Sequence, residues 1–382
     1  MILNFNPQNR SNSSVVPSRP FLRSGATRRS GGTRHSGATR AGRIVTTYRA
    51  MRLGWECFAV FASAMLFFII LGVLNAEDPI NVKCPQTGAV FTNKTHLQTA
   101  LYEWGYNASS QIDATAKYGP ISTWDTSNVE SFRSLFSTME MQFNGNIGCW
   151  DTSQVTDMSL AFQHNSIFDQ DITDWDTGKV TNMGGMFLMA VAFNQLIGKW
   201  DTSAVTSMAG MFGDASAFNQ DLGGWNTSNV LYINTMFTCA TSLNCAFNNA
   251  IGSGHWENTD MTRAFQYAAS FNYDIGSWDT SKVPSMKNMF YKAPLFNQDI
   301  AGWETGAVTS MESMFDQATA FNQDISGWDN SSVVGHSNMV DNSGMSCSNF
   351  KALRCAWSVT AHSLAATVDK NPGNCPENSD PC

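Results

Sequence analysis

The sequence predicts an α/β repeat solenoid with capping segments and one transmembrane helix. Three observations support this: tryptophans recur about every 25 residues, each interval contains a helical and a strand-like apolar pattern, and one uncharged apolar run lies near the N-terminus. Nine of the twelve tryptophans mark the repeat: Trp124, Trp150, Trp175, Trp200, Trp225, Trp256, Trp278, Trp303 and Trp328.

Each repeat contains two short patterns. In the copy after Trp200, the segment 208–215 has apolar residues at i, i+3, i+4 and i+7, which is the spacing of one helix face. The following FNQDL segment, 218–222, alternates apolar and polar residues as a strand does. Neither element is stable alone, so we expect the coils to stack around a common core. Threonines are expected to cap the helices: Thr156, Thr181, Thr206 and Thr309.

Segments of different composition flank the repeats. Residues 1–54 carry ten arginines and no acidic residue, whereas 55–76 contain the uncharged run FAVFASAMLFFIILGVL. Arginine on the N-terminal side of this run predicts a cytoplasmic tail and a signal anchor. The predicted organisation is a disordered tail over 1–54, a transmembrane anchor over 55–76, a helical cap over 77–120, nine repeats over 121–341 and a Cys-rich cap over 342–382.

This topology places the repeats in the lumen or outside the cell. Cleavage near Ala76, which would give a secreted protein, is the alternative to a retained anchor. After Ala76 the chain has 13 Lys and Arg against 30 Asp and Glu, and this acidic balance argues against anionic partners such as nucleic acid.

The compartment also suggests covalent modifications. Eight cysteines follow the anchor, and this even number predicts disulfides in an oxidising environment. Among the pairings that spacing allows, we expect the local ones: Cys239 with Cys245, Cys347 with Cys355, and Cys375 with Cys382. Sequons provide four candidate glycosylation sites: Asn93, Asn107, Asn226 and Asn330.

The repeated unit MFxxAxxFNQDIxxWDTSxVTxM, found from Ile121 to Val340, resembles the 25-residue repeat of BspA-like surface proteins, which are grouped with leucine-rich-repeat proteins. The segments FTNKTHLQTALYEW and ATAKYGPISTWD are similar to the leader before the first repeat in such proteins. The sixth copy, with CATSLNCAFNNAIGSGHW, and the chain after Asp341 depart from the pattern. The resemblance implies a leucine-rich-repeat-like fold, surface exposure, and adhesion or protein binding without a known reaction.

Columns of aspartate raise the question of calcium. The first column follows the tryptophans and the second lies in the NQD segments: Asp125, Asp151, Asp176, Asp201, Asp279 and Asp329, then Asp171, Asp221, Asp299 and Asp324. The glycine-rich calcium nonapeptide of β-rolls is missing, so we expect these carboxylates to bond turn amides instead. Six histidines never recur in phase, and no catalytic, cofactor or metal site is predicted.

The predicted function is adhesion or protein recognition by a membrane-anchored, non-catalytic surface protein. Its expected partner is a protein or glycan on another surface. One alternative is a glycan- or ice-binding array built from a file of threonines, whose hydroxyls would otherwise cap turns: Thr126, Thr152, Thr177, Thr202, Thr227, Thr280 and Thr305. A second alternative is an enzyme whose site lies in the irregular sixth repeat or the Cys-rich end.

Overall fold

The computed structural model describes most of the chain after residue 83, within the compact unit Pro79–Cys382. The described residues are 84, 86–105, 108–137, 142–241, 244–252, 254–256 and 258–358. The tail predicted over 1–54 and the anchor predicted over 55–76, with its alternative cleavage near Ala76, lie outside them. Within these ranges no helix combines the length and apolar character that crossing a membrane requires.

Helices lie at the two ends of the described chain. They are α1 (Lys94–Gly105), α2 (Ala108–Tyr118), a 3₁₀ turn (Ile121–Thr123) and α3 (Cys347–Ser358). Asn93 caps α1, because its side-chain oxygen accepts the N–H of His96 at 3.0 Å. An ion pair between Lys117 and Glu103, at 2.8 Å, joins α2 to α1.

Between α2 and α3 the chain winds in coils that stack in register. Nearly every coil is joined to the next by a parallel bridge between equivalent residues: Ser131 with Asp157, Asp157 with Asn182, Asn182 with Ser207, Ser207 with Tyr232, Tyr232 with Asp260, Asp260 with Ser285, Ser285 with Ser310, and Ser310 with Gly335. Each bridge is isolated rather than part of a strand. One further bridge, Val90 with Asp125, joins the segment before α1 to the first coil.

The helix and the strand predicted for each coil are not formed in the described residues. The segment 208–215 consists of overlapping turns instead. The N–H groups of Met211 and Gly213 donate to carbonyls three residues earlier, at 3.1 Å in both cases. The N–H groups of Gly210 and Phe212 donate to the next coil, at 2.9 Å each. Every second amide therefore serves stacking, and an α-helix, which uses every amide internally, is excluded.

Left-handed residues produce this alternation. Gly210 has φ of +64° and Asp214 has φ of +54°, a conformation that interrupts a right-handed helix. The same two positions are left-handed in other copies: Ser134, Leu160, Gly185, Thr235, Arg263, Asn288, Ser313 and Asn338, then His164, Met189, Tyr267, Lys292, Gln317 and Asn342. The expected inward face is nevertheless formed, because Met208, Met211 and Phe212 are buried.

The threonines expected to cap helices have another role. Thr181 and Thr206 donate through both N–H and hydroxyl to the carbonyl of the equivalent residue one coil earlier, Thr156 and Thr181 respectively. Thr156 and Thr309 donate in the same way to Glu130 and Pro284. These side chains therefore link coils and cap no helix.

The core consists of aromatic columns. Trp200 is buried, stacks on Trp175 at 6.4 Å and donates its indole N–H to the Ile172 carbonyl of the previous coil at 3.2 Å. Phe212 stacks on Phe218 in its own coil at 3.9 Å. The equivalent phenylalanines stack from coil to coil, as Phe187 does on Phe212 at 5.8 Å and Phe290 on Phe315 at 5.7 Å, so each coil buries the apolar edge of its neighbour.

The sixth copy interrupts the indole pattern. In regular coils the indole N–H donates to the carbonyl of an Ile in the previous coil, as Trp225 does to Ile197 at 3.0 Å. The equivalent carbonyl for Trp256 belongs to Leu222, which instead accepts the N–H of Gly252 at 2.9 Å. The buried indole N–H of Trp256 is left without a hydrogen bond among the described residues.

Two disulfides are formed in the described chain, Cys84 with Cys149 and Cys239 with Cys245. The expected pair of Cys347 and Cys355 is wrong. Both residues lie in α3, where eight residues of helix separate their Cα atoms by about 12 Å, beyond the reach of a disulfide. Each of them is disulfide-bonded, but not to the other. The pair Cys375 and Cys382 lies outside the described residues.

Candidate recognition surface

The aspartate columns fasten turns, as expected from the sequence. Asp201 accepts the N–H of Ser203 at 2.9 Å, and Asp221 accepts the N–H of Gly223 at 2.8 Å. Hydrogen bonds from the Ser203 hydroxyl and N–H hold the pKa of Asp201 below its usual range. In most copies the equivalent carboxylate accepts the same bond, for example in Asp125, Asp151, Asp176, Asp279 and Asp329, and in Asp171, Asp299 and Asp324.

One group in the described chain brings three metal-type ligand atoms within 4.8 Å of one another: Asp214, Cys239 and Cys245. Both sulfurs are joined in a disulfide, so neither is a thiolate that could bind an ion. This group lies at the irregular repeat, where the enzyme alternative was placed.

The threonine file is buried, which removes the array proposed from it. Thr202 is 1% exposed and donates its hydroxyl to the Asn226 carbonyl of the next coil at 2.9 Å. The equivalent hydroxyls do the same in Thr126, Thr152, Thr177, Thr227, Thr280 and Thr305. These hydroxyls hold adjacent coils together and present no surface to a glycan or to ice.

The candidate glycosylation sites differ in access. Asn93 and Asn226 are exposed, whereas Asn330 is 4% exposed because it occupies the buried position that threonine takes in other copies. A glycan on Asn330 has no room in the folded chain, so that candidate is wrong. Asn107 lies outside the described residues.

One column of residues differs in every copy. It lies fourteen residues after the repeat tryptophan, or eleven in the shortened copy after Trp256, at the second left-handed position of the turns. We call its left-handed members the variable column: His164, Met189, Asp214, Tyr267, Lys292, Gln317 and Asn342. Cys239 holds the equivalent position after Trp225, but it is buried and its φ is not positive. Two residues earlier, most copies carry the same buried Phe. The core is therefore constant while the residue at this position, buried only at Asp214 among the seven, changes.

The variable column borders a groove in the last coils. The groove has a volume of about 780 Å³ and is lined by the last four members of the column and by residues two positions further on: Tyr267, Ala269, Lys292, Pro294, Gln317, Thr319 and Asn342. It crosses several coils and opens to solvent. Positions that recur in the sequence do not reveal this groove, because its residues differ from copy to copy. The available signal was an aligned position, two residues after the Phe of the Met-Phe pair, whose residue changes in each copy.

Lys292, which lines the groove, lies close to two tyrosine rings, of which Tyr267 also lines the groove. The Lys292 ammonium lies 5.2 Å from the ring centroid of Tyr267 and 5.1 Å from that of Tyr291. The two rings meet edge to face at 5.5 Å. A hydrogen bond with Tyr291 raises the pKa of Lys292, so this side chain is charged at neutral pH.

Stacked coils with a constant core and a variable outer column define a tandem-repeat protein. Its repeats match the model of a family described as "Mycoplasma protein of unknown function, DUF285" in three segments: 106–195, 170–257 and 244–353. These matches span more than half of the chain, and the protein belongs to this family. No curated protein and no solved structure matches the chain.

Proposed function

We propose that this protein is a membrane-anchored surface protein that binds a ligand on another surface through its variable column and the adjoining groove, without catalysis. The observation that carries the proposal is the contrast between a constant buried core and seven different residues at one aligned position, six of which are at least partly exposed. Repeat proteins recognise partners through extended surfaces of this kind, and the scaffold itself needs no variation. The resemblance to BspA-like surface proteins supports the same function.

The other repeated polar groups support this choice because they are already used. The aspartates bind turn amides, and the buried threonines bind the next coil. The groove, by contrast, contains the Gln317 carboxamide, which makes no hydrogen bond within the described part of the chain. Polar groups that a fold does not need are the ones available to a ligand.

An adhesion assay with matched variants tests the proposed surface. Cells displaying the full chain are compared with cells displaying Lys292→Ala/Gln317→Ala, which removes two groove side chains. The control is Lys179→Ala/Gln154→Ala, another lysine and glutamine, joined at 2.8 Å outside the groove. We expect the groove variant to reduce attachment several-fold and the control to keep it. Equal attachment by all three would contradict the proposal.

Topology is tested separately with the full chain in intact cells. We propose that 55–76 cross the membrane with residues 1–54 in the cytoplasm, because arginine precedes the apolar run and acid follows it. Protease added outside should then remove a C-terminal epitope and leave an N-terminal one protected. Loss of the N-terminal epitope with protection of the repeats would reverse the topology, and release of the repeats into the medium would indicate cleavage near Ala76.

A further inference from the structure

We infer that the groove binds an acidic oligosaccharide, one whose sugar rings carry carboxylates. The inference rests on the proposed function and specifies its ligand. The groove combines one cation, one aromatic ring, two carboxamides and a hydroxyl: Lys292, Tyr267, Gln317 and Asn342, and Thr319. Each part of this set corresponds to one part of an acidic sugar.

The chain after Ala76 is acidic as a whole, but Lys292 gives the groove a local positive charge, so the groove itself favours a negatively charged ligand. Lys292 is partly exposed and makes no ion pair within the described chain. Asp316 lies nearby, but it is not among the lining residues, and it accepts a hydrogen bond from the Asn342 side chain at 3.4 Å. The lining itself contains no carboxylate. The tyrosine rings hold the ammonium at a fixed place, where it can meet a sugar carboxylate.

The remaining lining residues favour a sugar over a protein side chain. Protein partners depend on large apolar or aromatic anchors that enter well-packed pockets. Here the apolar lining consists of the small residues Ala269 and Pro294 beside the partly buried Tyr267 ring. Such shallow walls suit the C–H face of a sugar ring. Gln317 and Asn342 supply both donors and acceptors, which sugar hydroxyls require.

The stacking of the coils suits a chain of sugars. Lys292, Gln317 and Asn342 lie at the same position of successive coils. The phenylalanines two residues before Tyr267, Lys292 and Gln317 have ring centroids 5.6 and 5.7 Å apart between neighbouring coils. This spacing is close to the length of one sugar ring. Successive sugars lying along the stack would therefore meet successive side chains of the variable column.

Calorimetric titration of the full chain tests the inference. The probes are trimers of galacturonate, mannuronate and guluronate, each compared with its uncharged methyl ester. We expect at least one acid to bind at least 10-fold more tightly than its ester. Lys292→Gln should remove that preference by weakening acid binding about 10-fold, while Lys292→Arg keeps it. The control Lys282→Gln, in the same coil but outside the groove lining, should change neither affinity.

Thermal unfolding of each variant establishes that it is folded before it is titrated. Equal affinity for acid and ester, an unchanged preference in Lys292→Gln, or no binding of any trimer at millimolar concentration would each overturn the inference. The adhesion assay distinguishes a wrong ligand from a wrong binding surface. If the sugars fail but Lys292→Ala/Gln317→Ala still reduces attachment, recognition stands and the ligand is a protein. If attachment is also unchanged, the proposed surface fails as well.

Discussion

Single polar atoms fix the register between coils. Two buried side chains donate hydrogen bonds to backbone carbonyls of adjacent coils. The hydroxyl of Thr202 donates to the Asn226 carbonyl, and the indole N–H of Trp200 donates to the Ile172 carbonyl. A buried polar atom without a partner is costly, so a coil displaced by one residue would lose each of these bonds at once. These residues recur in the sequence for that reason as well as for packing.

The substitution Thr202→Val tests this role. It keeps the shape of the side chain but leaves the Asn226 carbonyl without its partner, which is expected to lower the free energy of unfolding by about 1–3 kcal/mol. The matched control is Thr206→Val, because the Thr206 hydroxyl is exposed and its carbonyl acceptor also binds a backbone N–H. Its loss should cost less than about 1 kcal/mol. If urea unfolding shows the same loss of stability for both variants, burial of the hydroxyl does not determine how much its hydrogen bond contributes to the free energy of unfolding.

The lowered pKa values of the turn aspartates predict that the stability of the fold depends on pH. Hydrogen bonds from Ser or Thr two residues later lower the pKa of five of them: Asp171, Asp201, Asp279, Asp324 and Asp329. Because the folded pKa lies below the unfolded value of about 3.9, their stabilisation is present above that pH and is lost as the pH falls through the folded values. Thermal unfolding temperatures should therefore decline below about pH 4.

Asparagine provides the control for this pH dependence. Asn226 already accepts the same turn bond, from the N–H of Ser228 at 3.1 Å, so replacing the five aspartates by Asn preserves the turns. The variant should unfold with a shallower dependence on pH between 4 and 2, roughly the range in which aspartate titrates. A slope identical to that of the unmodified chain would assign the acid sensitivity to other carboxylates.

At the scale of the element, the sequence predicts which side chains face inward better than it predicts backbone conformation. The spacing of Met208, Met211 and Phe212 was interpreted as a helix face, and all three are buried. The backbone is a series of turns because Gly210 and Asp214 are left-handed. Leu160 and Met189 adopt this conformation in other copies, and neither residue type favours it. Stacking overrides local propensity, and no short segment of sequence carries that signal.

The two disulfides between described residues close loops of very different length. Cys84–Cys149 closes a loop of 65 residues, whereas Cys239–Cys245 closes one of 6. A disulfide stabilises the fold mainly because it lowers the conformational entropy of the unfolded chain, and it does so more for a longer loop. Cys84→Ser/Cys149→Ser should therefore lower the free energy of unfolding by about 4 kcal/mol, and Cys239→Ser/Cys245→Ser by about 2 kcal/mol. Denaturant unfolding of both variants measures the difference. A larger loss from the short loop would mean that it stabilises the irregular repeat locally.

At the scale of the whole molecule, stacking of equivalent coils predicts that complete copies can be deleted without unfolding the rest. Deleting Trp175 to Gly224 removes two copies in phase and joins Asp174 to Trp225, whose indole can then use the Ile147 carbonyl that Trp175 uses now. We expect a folded, shorter protein with a cooperative thermal transition. Deleting Trp175 to Phe212 instead removes one and a half copies and should not fold. Similar transitions in both variants would contradict in-register stacking.

The candidate site was harder to predict than the repeat. Its residues, such as Tyr267, Lys292 and Gln317, share no chemistry, and they come together because equivalent positions stack. A repeat can be found from what recurs in a sequence, whereas a binding surface on it consists of what does not recur. The irregular copy shows the same limit, since the buried indole of Trp256 has no partner among the described residues and the equivalent carbonyl, that of Leu222, accepts the Gly252 N–H instead.

The last helix of the described residues, α3, determines how the stack of coils ends. Ser346 donates its N–H to the Asn322 side chain at 2.7 Å, and the Asn349 amide binds Asn322 at 3.1 Å. Asn322 and Gln323 make the corresponding bonds to Asn297 one coil earlier, so α3 occupies the position of the next coil. Because it is a helix, it offers no matching edge beyond. We therefore expect α3 to end the stack of coils at this side, so that a second molecule does not add to it coil by coil.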